Sequence, residues 1–342
     1  MIAVRFHRHG GPEELKVESI DPPEPKKNEV LIKVNACALN HLDLWIRRGL
    51  PSLKINLPHI LGSDISGTIS EIGSEVQNFQ KGDEVLVSPG VSCGHCHYCV
   101  NDMENLCRHY EIIGETLEGG YAEYIALPEK NILLKPKSLK LEEAAAIPLV
   151  FLTAWHMLVT QGQITPEKWV LIHAAGSGIG SAAIQIAKIF ETKIIATASS
   201  KEKLEKAKEF GAKYLINYSR EDFGKQVKEI TQKKGVDIVF EHTGEKTFEK
   251  SYKSLCKGGR LVTCGATTGY NVSLDLRYLF SRQLKLIGST MGTKSELKTI
   301  LNHVDNGQLK PIVDRKFPLK EAANAHRYLE ERKNFGKILL IP

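Results

Sequence analysis

"WVLIHAAGSGIGSAAIQIAKIF", residues 169–190, reads as a strand, a glycine turn and an amphipathic helix. The turn carries Gly176, Gly178 and Gly180, with Ser177 and Ile179 between them. Glycine tolerates positive φ and lets backbone approach a ligand closely. The helix after the turn offers free N–H groups and the positive end of its dipole to a pyrophosphate. The spacing is G-S-G-I-G, with Ser181 in the sixth place, and differs from G-x-G-x-x-G. Such a turn carries weight through its setting between strand and helix.

That setting continues downstream. "KIIATAS", "YLINY", "VDIVFEHTG" and "GRLVTCG" read as further strands, each separated from the next by a helical stretch. Strict alternation predicts right-handed crossovers and a parallel sheet covered on both faces. The expected fold is therefore α/β, with a Rossmann, doubly wound nucleotide-binding domain over residues 151–289. The strand after the glycine turn ends at Ala198, where NAD enzymes usually place an acid for the ribose hydroxyls. Ser199, Ser200, Lys201 and Lys203 come next. Hydroxyls and ammoniums suit a 2′-phosphate, so NADPH is expected over NADH. Tyr218, after the third strand, is a candidate for the adenosine side.

The remaining sequence has a different texture. Over residues 1–90, short apolar runs such as "EVLIKVNACAL", "GTISEIG" and "DEVLVSPG" lie between turn signals, which predicts a β-rich unit. The tail, "FPLKEAANAHRYLEERKNFGKILLIP", reads as a helix and a strand that returns to that unit. The β-rich domain is thus expected over residues 1–150 and 290–342.

Inside it, "CGHCHYCVNDMENLC" holds four of the seven cysteines, spaced C-x2-C-x2-C-x7-C. Four thiolates fill a tetrahedral shell and leave no position for water or substrate. Cys93, Cys96, Cys99 and Cys107 are expected to hold one structural zinc in a lobe over about residues 90–110. His95 and His97 lie inside the loop as lesser candidates.

Composition excludes several classes. The chain has 342 residues, 42% hydrophobic and 25% charged, with a net charge of +6. Its lysines are scattered along helical stretches with Glu between them, so no nucleic-acid partner is expected. No apolar run reaches the roughly 20 residues of a membrane span, and the start lacks a secretory pattern. A cytoplasmic protein with reduced thiols and a small-molecule substrate is expected.

"PHILGSDISGTISEIGSEV", "FQKGDEV", the four-cysteine loop, "AAAIPLVFLTAWHML" and "HAAGSGIG" together resemble the medium-chain dehydrogenase/reductase superfamily. That superfamily holds zinc alcohol dehydrogenases and quinone or enoyl reductases. The resemblance implies a GroES-like β domain built from both chain ends, a Rossmann domain, an active site in the cleft between them, and a homodimer or homotetramer. It assigns the four cysteines to a structural zinc.

Zinc alcohol dehydrogenases also carry a catalytic zinc on Cys, His and Cys, in motifs C-H-T-D and G-H-E and a cysteine just before the domain helix. The matching stretches here are "NHLD" (40–43), "GSD" (62–64) and "PLVFLTAW" (148–155). The three places hold Asn40, Ser63 and Leu149, which are poor zinc ligands. A site improvised from His41, Asp43 and Asp64 is the lesser reading, and Cys37 is expected in the core.

Hydride transfer to a plain ketone builds a strongly basic alkoxide, which normally needs a metal or proton relay. Transfer to a conjugated enone, enoyl thioester or quinone builds a delocalised anion that hydrogen-bond donors can stabilise. The expected activity is therefore NADPH-dependent reduction of activated double bonds or quinones without a catalytic metal. The alternative is an alcohol dehydrogenase of the zinc type. Asn40, Ser63, His41 and Thr153 are the candidate catalytic residues. Gly265 and Ala266 are expected beside the nicotinamide ring, and Lys337 near the phosphates. Asp43 reads as a structural acceptor, and His173 and His242 as satisfied strand-end histidines. Cys256 and Cys264 read as core thiols. Arg47, Arg48 and Lys54 read as exposed loop charge, and residues 44–57 and 276–292 as pocket walls.

Overall fold

The computed structural model describes residues 1–50 and 53–342. It forms two compact units, residues 1–149 with 293–342, and residues 150–292. No helix among the described residues is long and apolar enough to cross a membrane.

The first unit is built on a seven-stranded sheet. Its order is Ile132–Leu134, Glu84–Val87, Asp64–Ile72, Glu29–Ala38, Lys337–Ile341 and Val313–Pro318, with Tyr124–Pro128 also pairing Glu29–Ala38. Alternation in the Glu29–Ala38 strand sends Val30, Ile32 and Val34 into the core, where they meet Ile65, Ile69 and Val85. Each such burial contributes about 1.5–3 kcal/mol.

Register in this sheet brings distant residues to one edge. Ala38 lies opposite Asp64 on one side and Leu339 on the other, both antiparallel. The end of one strand and the starts of its two neighbours therefore meet. Asn40, Asp64 and Lys337 are separated by up to 297 residues in sequence and converge there.

The second unit carries a six-stranded parallel sheet. Its order is Tyr214–Asn217, Lys193–Ala198, Trp169–Ile172, Val236–Glu241, Leu255–Thr263 and Lys285–Gly288. This is the doubly wound α/β arrangement. Five strands match the alternation in the sequence. The sixth, and the helix Leu276–Ser281 before it, fall in the segment expected to wall a pocket. The apolar helix that begins at Pro148 continues through Gln161, with its last stretch, His156–Gln161, wound as a π-helix.

Candidate functional site

The glycine turn in the second unit departs from expectation in one respect. None of Gly176, Gly178 and Gly180 has positive φ; the left-handed residue is Ala174, at φ 47°. The helix runs Gly178–Ile189 with Ser177 as its N-cap, whose Oγ accepts from the Gly180 N–H at 3.0 Å and donates to the Ala174 carbonyl at 2.8 Å. Gly180 is required by close approach, since a Cβ there would stand 2.5 Å from the Ala174 carbonyl oxygen. Ile179 is half-buried beside it. The hydroxyl cap and tight strand-to-helix passage suit the pyrophosphate of a dinucleotide, which the remaining N–H groups of this turn would hold.

Beyond the next strand, Ser200 caps the helix Lys201–Phe210 by accepting from the Lys203 N–H at 3.3 Å. Its hydroxyl also holds the Glu202 carboxyl below the usual carboxylate range. Glu202 is an acid in this stretch that the contrast of hydroxyls and ammoniums leaves out. Ser199 is exposed and Tyr218 is 42% exposed. Gly265 and Ala266 lie half-buried after Leu255–Thr263, and Thr153 is buried in the helix Pro148–Trp155. Cys256 and Cys264, expected in the core, are half-buried.

His173 and His242 are satisfied. The His173 ring bonds Thr197 Oγ1 at 3.1 Å and Ser251 Oγ at 2.9 Å, and His242 Nε2 donates to the His173 carbonyl at 3.0 Å. The partner of this cluster, the fully buried Glu241, was not legible in the sequence. It accepts from the N–H of Thr243 and the hydroxyls of Thr247 and Ser251.

In the first unit, the four cysteine sulfurs lie within 4.8 Å of one another. Cys93–Cys99, Cys96–Cys99 and Cys93–Cys107 are 3.8, 3.5 and 3.6 Å apart. Tetrahedral zinc with bonds of about 2.3 Å places its sulfurs about 3.8 Å apart, so the set fits zinc. Backbone N–H groups of Gly94 and His109 donate to Cys99 and Cys107 sulfurs at 3.4 and 3.3 Å. N–H donors from His95 and Cys96 pull the Cys93 thiol down to about 6. Among the described residues this is the one group of three or more Cys, His, Asp or Glu whose ligand atoms come together. Neither His95 nor His97 belongs to it.

At the sheet edge, Asn40 precedes the helix His41–Arg48, and its N–H donates to Asp43 Oδ2 at 2.7 Å. Asp43 Oδ1 accepts from the Gly62 N–H at 3.2 Å, so this acid is structural, tying helix start to strand approach. Its carboxyl is raised to about 7, chiefly by burial, against the opposing pull of the Asn40 N–H and the Lys337 charge. Asp64 Oδ1 accepts from the Leu149 N–H at 2.7 Å. Asp64 Oδ2 accepts from Asn40 Nδ2 at 2.9 Å and from Lys337 Nζ at 2.9 Å. Lys337 Nζ also donates to Asn40 Oδ1 at 2.5 Å.

Both ends of the Asn40 amide are engaged within the chain. Lys337 is 4% exposed and paired with the Asp64 carboxylate. Ser63 is fully buried, and its Oγ has no hydrogen-bond partner among the described residues. His41 is half-buried, its ring edge-on to Trp45. Cys37 is buried in the core.

The expectation for Arg47 is corrected. It is fully buried, where exposed loop charge was expected. Its Nη2 donates to Glu330 Oε1 at 2.5 Å, its Nη1 to His326 Nδ1 at 2.9 Å and its Nε to the Gly10 carbonyl at 3.1 Å. Since Arg47 only donates, His326 Nδ1 accepts, and its Nε2–H faces Tyr121 Oη at 3.1 Å. Arg48 is exposed and joins Glu330. Residues 44–48 are helical, and positions 51–52 of the expected 44–57 loop lie outside the described residues.

Residues 26–137 match the family model for the alcohol dehydrogenase GroES-like domain, and residues 178–306 that for zinc-binding dehydrogenases. The chain is 34% identical to an NAD-dependent alcohol dehydrogenase of Saccharolobus solfataricus, with all of both chains covered. It is 31% identical to the quinone oxidoreductase of Homo sapiens, covering all of this chain and 98% of that one. A solved structure of an NAD-dependent alcohol dehydrogenase superposes with a TM-score of 0.97 at 49% identity, again with both chains fully covered. With two domain models matched in order and full-length relatives on both the alcohol dehydrogenase and quinone oxidoreductase sides, the chain belongs to the medium-chain dehydrogenase/reductase superfamily and is an NAD(P)-dependent oxidoreductase.

Proposed function

We propose that this oxidoreductase reduces conjugated carbonyl compounds or quinones with NADPH and uses no catalytic metal. The carrying observation is the donor set at the three places a catalytic zinc would need. Asn40 is bonded at both ends to Lys337 and Asp64, Ser63 offers a lone hydroxyl, and Leu149 contributes only its backbone N–H, to Asp64. A neutral amide already bonded to an ammonium does not fit zinc.

When bound, the reduced nicotinamide would supply a hydride to the acceptor, and a proton delivered from solvent by way of His41 would complete the two-electron reduction. The chain's part is to hold and polarise the acceptor oxygen. Ser63 presents a hydroxyl with no competing partner among the described residues, and His41, at the first position of its helix, is a proton source. Thr153, Gly265 and Ala266 are assigned to the nicotinamide side, and Gly176 through Gly180 to the pyrophosphate.

The NADPH preference rests on Ala198 in the usual acid position, with Ser199, Ser200, Lys201 and Lys203 after it. Glu202 works against it, and relatives named as NAD-dependent make both nucleotides necessary arms of the test. We place the enzyme in the cytoplasm as a homodimer or homotetramer acting on a small molecule.

The test is initial-rate oxidation of NADPH and NADH with quinones, enones and enoyl thioesters, beside oxidation of simple alcohols with NAD and NADP. Turnover of conjugated acceptors with the lower Michaelis constant for NADPH supports the reading. Chelator-sensitive turnover of simple alcohols alone would replace it with the alcohol dehydrogenase alternative.

A further inference from the structure

The strand Tyr124–Pro128 in the first unit pairs antiparallel with Glu29–Ala38, Ile125 opposite Ile32 and Leu127 opposite Val30. On its other side the strand Ile2–Phe6 covers only the approach. There the Val4 N–H donates to the Tyr121 carbonyl at 2.8 Å, the Glu123 N–H donates to the Ile2 carbonyl at 3.0 Å, and Ala3 bridges Ala122. Past Glu123 that cover stops. Among the described residues no second strand pairs with Tyr124–Pro128. The Glu123 carbonyl turns inward and accepts from the Val34 N–H at 2.9 Å. Main-chain groups alternate sides along a strand, so those of Ile125 and Leu127 face inward with it, and those of Tyr124 and Ala126 face the open edge. Pro128, which has no N–H to leave unpaired, ends that edge.

The open edge borders a cavity of about 470 Å³, lined by every residue from Tyr124 to Pro128. That volume is in the range of ligand sites. Ile20, Asp21 and Pro23 also line it, and they follow the strand Lys16–Ser19, which pairs the far side of Ile2–Phe6. The cavity is thus a slot that continues the track of Ile2–Phe6. Ile60, Val91 and Leu117 add apolar wall. The charge is one-sided. Asp21, Glu29, Glu111 and Glu118 line the slot against one side-chain cation, Arg5, whose guanidinium is already bound to Glu18. Glu29 faces Lys26 Nζ at 3.5 Å and Glu118 accepts from the Ile60 N–H at 3.0 Å, while Asp21 and Glu111 are exposed. The chain as a whole carries a net charge of +6, so this acidity is local. Unpaired main-chain groups beside apolar walls and carboxylates match an extended backbone with apolar and basic side chains.

We propose that Tyr124–Pro128 is a docking edge for an extended segment of a partner protein, which adds to the sheet as an antiparallel strand in line with Ile2–Phe6 and alternates apolar with basic side chains. The apolar side chains fill the slot against Ile20, Ile60 and Leu117, and the basic ones meet Asp21 and Glu111. An uncovered strand edge invites pairing, and these carboxylates select which segment pairs. The edge lies beside the first half of Glu29–Ala38, whereas Asn40 follows the last residue of that strand. Docking is therefore separate from the residues assigned to the reaction.

The probe is a dansylated pentapeptide amide, Lys-Val-Lys-Val-Lys, titrated into the full chain and followed by fluorescence anisotropy. Saturable binding is expected, with hydrogen exchange at Tyr124 and Ala126 slowed in the complex. The double variant Asp21→Lys/Glu111→Lys changes two exposed residues. It is expected to bind at least tenfold more weakly, with its thermal unfolding unchanged. Two analogues carry N-methyl groups at the valines or at the lysines. One of them is expected to lose binding, because only alternate N–H groups of an added strand face its neighbour. Equal binding of both analogues would overturn strand addition, and equal binding of Glu-Val-Glu-Val-Glu would overturn the charge match. No binding to the wild type at millimolar peptide would overturn the proposal as a whole. If, in addition, an oligomer of the wild type dissociates in the double variant, the edge belongs to a second copy of this chain.

Discussion

Lys337 Nζ lies 2.9 Å from Asp64 Oδ2, and neither side chain is more than 4% exposed. Two buried opposite charges depend on each other for solvation. Removing one partner of such a pair typically costs about 3–5 kcal/mol, while removing both costs much less. Lys337→Met and Asp64→Asn are each expected to lower the unfolding free energy by about that amount, and the double variant by clearly less than their sum. Urea denaturation of the four proteins checks this. Additive losses would mean that the pair is not coupled.

Arg47 makes another buried charge contact, through Glu330 and His326 on the helix Ala322–Glu330. Arg47→Met leaves His326 Nδ1 without its donor and Glu330 with Arg48 alone, and about 2–4 kcal/mol of stability is expected to be lost. Glu330→Gln, at a residue that is 21% exposed, should cost less, about 1 kcal/mol. Thermal unfolding of both variants tests the order. A larger loss in Glu330→Gln would contradict it.

Asp43 gives a pH signature. Burial raises its folded pKa from the ordinary 3.8 to about 7. Between those values the folded state holds a proton that the unfolded state has released. Stability from this group therefore falls as pH rises from about 4 to about 7, by at most about 1.4 kcal/mol per pH unit, and is level above that. Asp43→Asn should remove this slope. The check is the difference between wild-type and variant unfolding free energies measured across that range.

Zinc removal should act locally. The four-cysteine lobe is docked by Glu104, which accepts from the Lys294 N–H at 2.6 Å, and by Lys130, whose Nζ donates to the Ser92 carbonyl at 2.6 Å. Four uncompensated thiols cannot hold the loop, because structural zinc supplies the folding energy of such sites. Cys99→Ser or chelation is expected to expose residues 93–107 to protease while the parallel sheet of the second unit persists. Simultaneous loss of both would contradict a local role.

Local pattern carried much of this. The glycine turn lies between a strand and a helix, both with clear periodicity, and the four cysteines lie within fifteen residues of one another, so both could be read directly. The partners of Asn40 could not. Its contacts depend on register across three strands, with Lys337 nearly 300 residues away, and no local spacing records which strand lies beside which. Arg47 misled for the same reason. Its sequence neighbourhood, "WIRRGL", looks like exposed charge until the C-terminal helix brings Glu330 and His326 to it. Ala174 was missed because a left-handed alanine leaves no signal in composition.

If hydride transfer here proceeds in the absence of a catalytic metal, the metal content of the working enzyme must show it. Zinc measured by elemental analysis, on a preparation that turns over conjugated acceptors, is the most direct test. One zinc per chain is expected, lost when the four-cysteine site is mutated. Two zincs per chain, with the second surviving that mutation, would contradict a metal-free reaction centre.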